Sequence, residues 1–93
     1  MFVLHVGIHI KPGQEAAAEV TFSGPFSAAI SAQPGFKAVS FLRPDGGGEY
    51  VLSLAFENQT LQQQWVATDL HGRVWPEMEK HFVGYSLKTF TTV

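Results

Sequence analysis

This sequence predicts an α+β fold of the ferredoxin-like kind, ordered βαββαβ, and three observations lead to it. Residues 2–10, 36–42, 50–56 and 82–93 alternate apolar and polar side chains or concentrate β-branched and aromatic ones. Helical apolar spacing fills the stretch between the first two of these segments and the stretch between the last two. A glycine-rich turn joins the middle pair, as a hairpin requires. Right-handed crossovers then give a four-stranded antiparallel sheet with strands one and three central and the helices on one face.

Each element has its own signal. In strand one, Phe2, Leu4, Val6, Ile8 and Ile10 share one face and Val3, His5, Gly7 and His9 the other. Lys11-Pro12-Gly13 stops it. Gln14 to Gln33 carries Ala16, Ala17, Ala18, Val20, Phe22, Phe26, Ala29 and Ile30 at helical spacing. Gly24-Pro25 interrupts that run, predicting a kink or two short helices with Ser23 capping the second. Gln33-Pro34-Gly35 ends it, and Phe36 to Leu42 forms strand two. The turn Arg43-Pro-Asp-Gly-Gly-Gly48 returns the chain into strand three, Tyr50 to Phe56. Asn58 is placed to cap the next helix, in which Leu61, Trp65 and Leu70 keep helical spacing. Gly72 and Pro76 predict that its last turn is a separate short helix. Phe82 to Val93 closes the sheet.

At 93 residues the chain makes a single domain, residues 1–93. Charged residues are 15% of the sequence and hydrophobic ones 45%, fewer charges than an isolated surface normally carries. Strand two sets Val39 and Phe41 against Phe36 and Leu42, and strand four sets Val83, Tyr85 and Leu87 against Phe82 and Phe90. Apolar weight on both sheet faces predicts a homodimer. A net charge of −2 without a basic run argues against nucleic acid, and no polybasic or acidic tail points to a membrane. The absence of cysteine removes disulfides, thiolate nucleophiles and zinc-thiolate sites. The N-terminal segment alternates like a strand and has no basic leader or cleavage pattern, so a cytoplasmic protein is expected.

The segment Trp65-Val-Ala-Thr-Asp-Leu-His71-Gly-Arg-Val-Trp75 is the best candidate for a site. It puts two stiff, amphipathic indoles and a titratable imidazole on a short helical stretch, the composition of a wall that binds aromatic compounds. His5 is a second candidate base if strand one turns its odd face toward the helices. His5 and His9 lie about 13 Å apart along a strand, too far to chelate one metal, and no His-Glu-x-x-His spacing occurs, so no metal site is expected. Asp45 to Gly48 precedes a strand instead of a helix and reads as a turn, not a phosphate loop. Glu15, Glu19, Glu77, Glu79 and Lys80 read as solvated helix faces. The serines lack a nucleophile-elbow context.

The punctuation of strand, Lys11-Pro12-Gly13, helix, Gln33-Pro34-Gly35-Phe36, glycine hairpin, strand and a helix ending around Thr68-Asp69-Leu70-His71 resembles the antibiotic biosynthesis monooxygenase family. These are dimeric α+β barrel proteins, and the resemblance spans essentially the whole chain. It implies two sheets packed face to face as a barrel, with a cavity in each protomer between sheet and helices. Members include cofactor-free monooxygenases of polycyclic aromatics, heme-degrading enzymes, signal-processing isomerases and proteins without an assigned activity.

Heme-degrading members carry an asparagine on strand one, a tryptophan on the second helix and an axial histidine further along it. The resemblance puts His5, Trp65 and Trp75 at those positions, with His71 one turn before the axial one. Cofactor-free oxidisers carry an asparagine and a tryptophan on strand three, where this chain has no asparagine and Phe56 near the tryptophan position. His71 falls where many members have a helix histidine near the cavity. The resemblance therefore implies a cofactor-independent monooxygenase-like enzyme for a small aromatic or polyketide-like compound. His5 and His71 are its candidate bases, and Trp65, Trp75, Phe56 and Tyr85 its candidate walls. The alternatives are a heme-binding or heme-degrading enzyme and a non-catalytic dimer that binds a hydrophobic ligand.

Overall fold

A computed structural model describes residues 1–93: β1 (Phe2–Ile10), α1 (Glu15–Thr21), a π-helical turn (Phe22–Phe26), α2 (Ser27–Ser31), β2 (Phe36–Leu42), β3 (Tyr50–Phe56), α3 (Gln59–Val66), α4 (Asp69–Glu79) and β4 (Phe82–Thr91). The sheet is antiparallel with order β2-β3-β1-β4, the arrangement read from the sequence. Even-numbered β1 residues face the helices: Leu4, Val6 and Ile8 are buried with Leu52 and Leu54 of β3 under Phe26, Ile30, Trp65 and Met78. No helix is long and apolar enough to cross a membrane.

Three local expectations are corrected. Two short helices, α1 and α2, do flank Gly24-Pro25 as expected, but Ser23 does not cap the second. The missing Pro25 N–H is absorbed by the π-helical turn, in which Ser27 donates to the Phe22 carbonyl five residues back; Ser23 lies inside that turn and caps nothing. The second helical run breaks before Gly72 and Pro76, between Val66 and Asp69, and both of those residues sit inside α4.

The third correction concerns the sheet faces. Register shifts between Phe36 and Ala38 and between His9 and Ile10 each place one extra residue on a strand. Phe36 and Phe82 thereby turn to the helix side and pack with the core. The open face keeps Val3, Leu42, Val51, Ala55 and Phe90, a lighter apolar load than strict alternation gives.

Two polar clusters tie the helices to the sheet. The Glu19 carboxylate accepts from Arg43 Nε at 2.8 Å, from a second Arg43 nitrogen and from the Tyr50 hydroxyl at 2.7 Å, so it is not a freely solvated helix residue. Those donors hold its pKa at about 2, from 4.5. Gly35, at φ +77°, turns the chain where Leu61 leaves no room for a Cβ, and its carbonyl accepts from the Glu57 N–H at 2.8 Å.

His81 is the second cluster. It is 6% exposed, with Nδ1 2.8 Å from Gln14 Oε1 and Nε2 3.1 Å from Thr21 Oγ1, while its carbonyl accepts from the Lys11 N–H at 2.8 Å. It joins the α4–β4 junction to both ends of α1. Burial, reinforced by Lys80, pushes the His81 pKa down, so the folded chain holds the neutral ring. The unfolded chain then binds the extra proton first, and stability is fully present above the ordinary histidine value of about 6.5 and declines as pH falls through it. Urea unfolding should show a lower midpoint at about pH 5.5 than at about pH 7.5. His81→Asn should lose about 1–3 kcal/mol at the higher pH and flatten the difference; an unchanged pH dependence in the variant would contradict this role.

Candidate functional site

The break between α3 and α4 builds the site. On a continuous helix Trp65 and His71 would stand about 120° apart around the axis and about 9 Å apart along it. Here the ring centroids are 5.0 Å apart, edge to face at 83°. Thr68 holds that geometry: its hydroxyl donates to the Trp65 carbonyl at 2.7 Å and accepts from the His71 N–H at 3.1 Å. One side chain therefore closes the last turn of α3 and caps the first turn of α4. Asn58 caps the start of α3 in the expected way, accepting from the Leu61 N–H at 2.9 Å.

Trp75 lies one turn after His71 on the same face of α4, and the two rings stack at 6.0 Å and 16°. Trp75 also meets Phe26, Phe82 and Tyr85 at centroid distances of 6.1, 5.7 and 5.6 Å. Trp65, at 2% exposure, packs its edge on Phe26 at 6.3 Å. Each such aromatic pair contributes about 0.5–1.5 kcal/mol beyond its buried area, so the cluster is a stiff wall.

That wall bounds a cavity of about 190 Å³ between helices and sheet. Leu4, Val6, Leu52 and Leu54 form its floor; Phe26, Trp65, Val66 and Trp75 cover it, and Tyr85 and Leu87 of β4 stand at its mouth. The mouth is open beyond Trp75, where Tyr85 and Leu87 of β4 are 44% and 62% exposed. Ten of the twelve lining residues are hydrophobic; the other two are Gln62 and His71. His71 is half-buried, and burial among these rings lowers its pKa, favouring the neutral imidazole. Its backbone N–H is bound by Thr68, and neither ring nitrogen is committed to a partner within the chain. The arrangement can hold a flat apolar molecule and accept a proton from it.

The residues singled out in the sequence divide accordingly. His71, Trp65, Trp75 and Tyr85 come together at the cavity. His5 does not join them. The odd face of β1 turns away from the helices, and His5 meets Phe90 at 4.8 Å, the rings tilted at 59°, on the open side of the sheet, near Lys88 and Glu49. Phe56 faces the helices but is fully buried at the far end of β3, edge-on to Phe36 at 6.1 Å, and belongs to the core outside the cavity. Sequence reasoning passed over Gln62. Its spacing of three from Trp65 on a capped helix was the available signal.

The family profile described as antibiotic biosynthesis monooxygenase matches residues 1–75, a span that includes Trp65, His71 and Trp75. The chain belongs to the antibiotic biosynthesis monooxygenase family. Among solved structures, a Nitrosomonas europaea protein provisionally described as an antibiotic biosynthesis monooxygenase has a TM-score of 0.85 at 14% identity, covering 100% of this chain and 99% of that one. One from Caulobacter crescentus, provisionally described in the same way, gives 0.85 at 15%, covering 99% of this chain and 89% of that one. The heme-degrader MhuD from Mycobacterium tuberculosis, with two hemes bound in its active site, gives 0.80 at 22%, covering 100% and 96%. No curated protein matches the chain. At these identities the structural likenesses establish the fold that this family member adopts.

Proposed function

We propose that this family member is a cofactor-independent monooxygenase-like enzyme acting on a small aromatic or polyketide-like compound. The observation that carries the reading is His71, a neutral imidazole with free ring nitrogens, set between two indoles on the wall of an apolar cavity. His71 takes a proton from a phenol or an activated CH₂ of the substrate, and the electron pair stays on the substrate as a delocalised carbanion. That carbanion reduces O₂ directly: for a CH₂ group, one oxygen atom ends in the new carbonyl and the other leaves as water. Trp65, Trp75 and Tyr85 hold the ring system flat, and the apolar floor excludes water from the intermediate.

A heme fits this site poorly. The cavity of about 190 Å³ lies below the roughly 300–1,000 Å³ of drug-sized sites, and a porphyrin is larger than such ligands. Oxygen uptake with planar phenols and anthrones tests the reading. His71→Ala should lower turnover by about 10²–10⁴-fold. Because the base acts only when neutral and its pKa is lowered, the acid limb of wild-type kcat/KM should fall below the ordinary histidine value of about 6.5. Unchanged turnover in His71→Ala, or a sharp one-to-one heme Soret band lost in that variant, would overturn it.

We further propose that the open sheet face closes on a second copy as a cytoplasmic homodimer. Leu42 and Phe90 remain 49% and 40% exposed on that face beside Val51 and Ala55, and a second copy buries them without a change of fold. Light scattering at micromolar concentration should give twice the 10.2 kDa protomer mass. Phe90→Glu should shift it toward monomer; a wild-type mass of 10.2 kDa would contradict the dimer.

A further inference from the structure

Gln62 is the only amide side chain lining a cavity whose other polar groups are the His71 imidazole, the Tyr85 hydroxyl and the indole N–H groups of Trp65 and Trp75. It is 8% exposed, on the α3 face that also carries Trp65 and Val66. Its backbone N–H donates to the Asn58 carbonyl at 3.3 Å, but its side-chain amide makes no hydrogen bond within the chain. No fully enclosed side-chain polar atom in the protein lacks a partner, so the unpaired amide of this cavity-lining residue keeps accessible surface. A ligand that fills the cavity displaces water from them and has to replace the lost bonds.

We propose that Gln62 is the specificity-determining residue of this site and selects planar β-keto enols, in which a carbonyl is conjugated with the hydroxyl or C–H that yields its proton to His71. The inference rests on reading the cavity as the ligand site. When the ligand O–H bond breaks, the proton goes to a free His71 ring nitrogen and the electron pair stays on the ligand. Conjugation spreads that charge onto the carbonyl oxygen, where the Gln62 amide N–H groups donate to it. A hydrogen bond to a charged oxygen is stronger than one to a neutral carbonyl, so Gln62 favours the deprotonated ligand over its neutral form. A ligand with only a hydroxyl engages His71 and leaves the amide dry.

Four bicyclic probes of similar size separate these contributions: naphthalene, 1-naphthol, coumarin and 4-hydroxycoumarin, compared by equilibrium dialysis against the full chain. At neutral pH 4-hydroxycoumarin is already the enolate, so it reads the Gln62 bond to the charged oxygen without the proton transfer, and wild type should bind it about tenfold or more tightly than 1-naphthol. Gln62→Met and Gln62→Leu should keep naphthalene affinity within about twofold while abolishing the preference for 4-hydroxycoumarin. Absence of that preference in wild type overturns the proposal whatever the variants do. So does its survival in both variants, or an equal weakening of all four probes. If naphthalene itself fails to bind wild type, the cavity reading falls and takes this proposal with it; if naphthalene binds without discrimination, only the role of Gln62 falls.

Discussion

Everything specific to the candidate site depends on one hydroxyl. Thr68 is bonded to the Trp65 carbonyl and to the His71 N–H, and these two bonds stop one helix and start the next within three residues. Without the break the indole and the imidazole would project from different sides of one rod. With it, the imidazole sits between Trp65 and Trp75, and the corner between α3 and α4 is lined by rings instead of backbone. A cap of this kind contributes about 1 kcal/mol, modest for the fold but decisive for where His71 points.

The sheet supplies the other half of the site. Alternation in β1 and β3 sends Leu4, Val6, Leu52 and Leu54 upward as an apolar floor, and the extra residue on β4 brings Phe82 and Tyr85 to the same side. Phe82 completes the core under Trp75, and Tyr85 is left at the mouth. Low polarity around the imidazole lowers its pKa, and the same low polarity makes any buried amide selective for what it pairs with. The four-stranded sheet thus acts on His71 and Gln62 through desolvation, with no charged residue lining the cavity.

Strand positions were legible because alternation over seven or more residues leaves little ambiguity: β1, β2 and β3 begin and end where the residue pattern places them. The Trp65-to-Trp75 segment stood out as a candidate because indoles and a histidine rarely fall so close in sequence, and the fold gathers all three rings on one cavity. What the pattern concealed was geometry of one residue or less. A bulge is a single extra residue, and it moved Phe36 and Phe82 from the open face to the core. Which face of β1 meets the helices follows from where the bulky even residues find partners, and that choice put His5 on the far side. Thr68 as the helix stop was overlooked because Gly72 and Pro76 are stronger breakers in isolation; tertiary packing of Val74 and Met78 carries α4 past both. Gln62 was missed because glutamine on a helix ordinarily faces water.

The central claim is that Trp65, His71 and Trp75 form one cluster on the cavity wall with a neutral imidazole at its centre. An NMR titration of the His71 ring protons measures it directly. Ring currents from the two indoles should displace the His71 signals from the positions of an exposed histidine, and the titration midpoint should fall below about 6.5. Signals at solvent-exposed positions with a midpoint at or above that value would contradict the account.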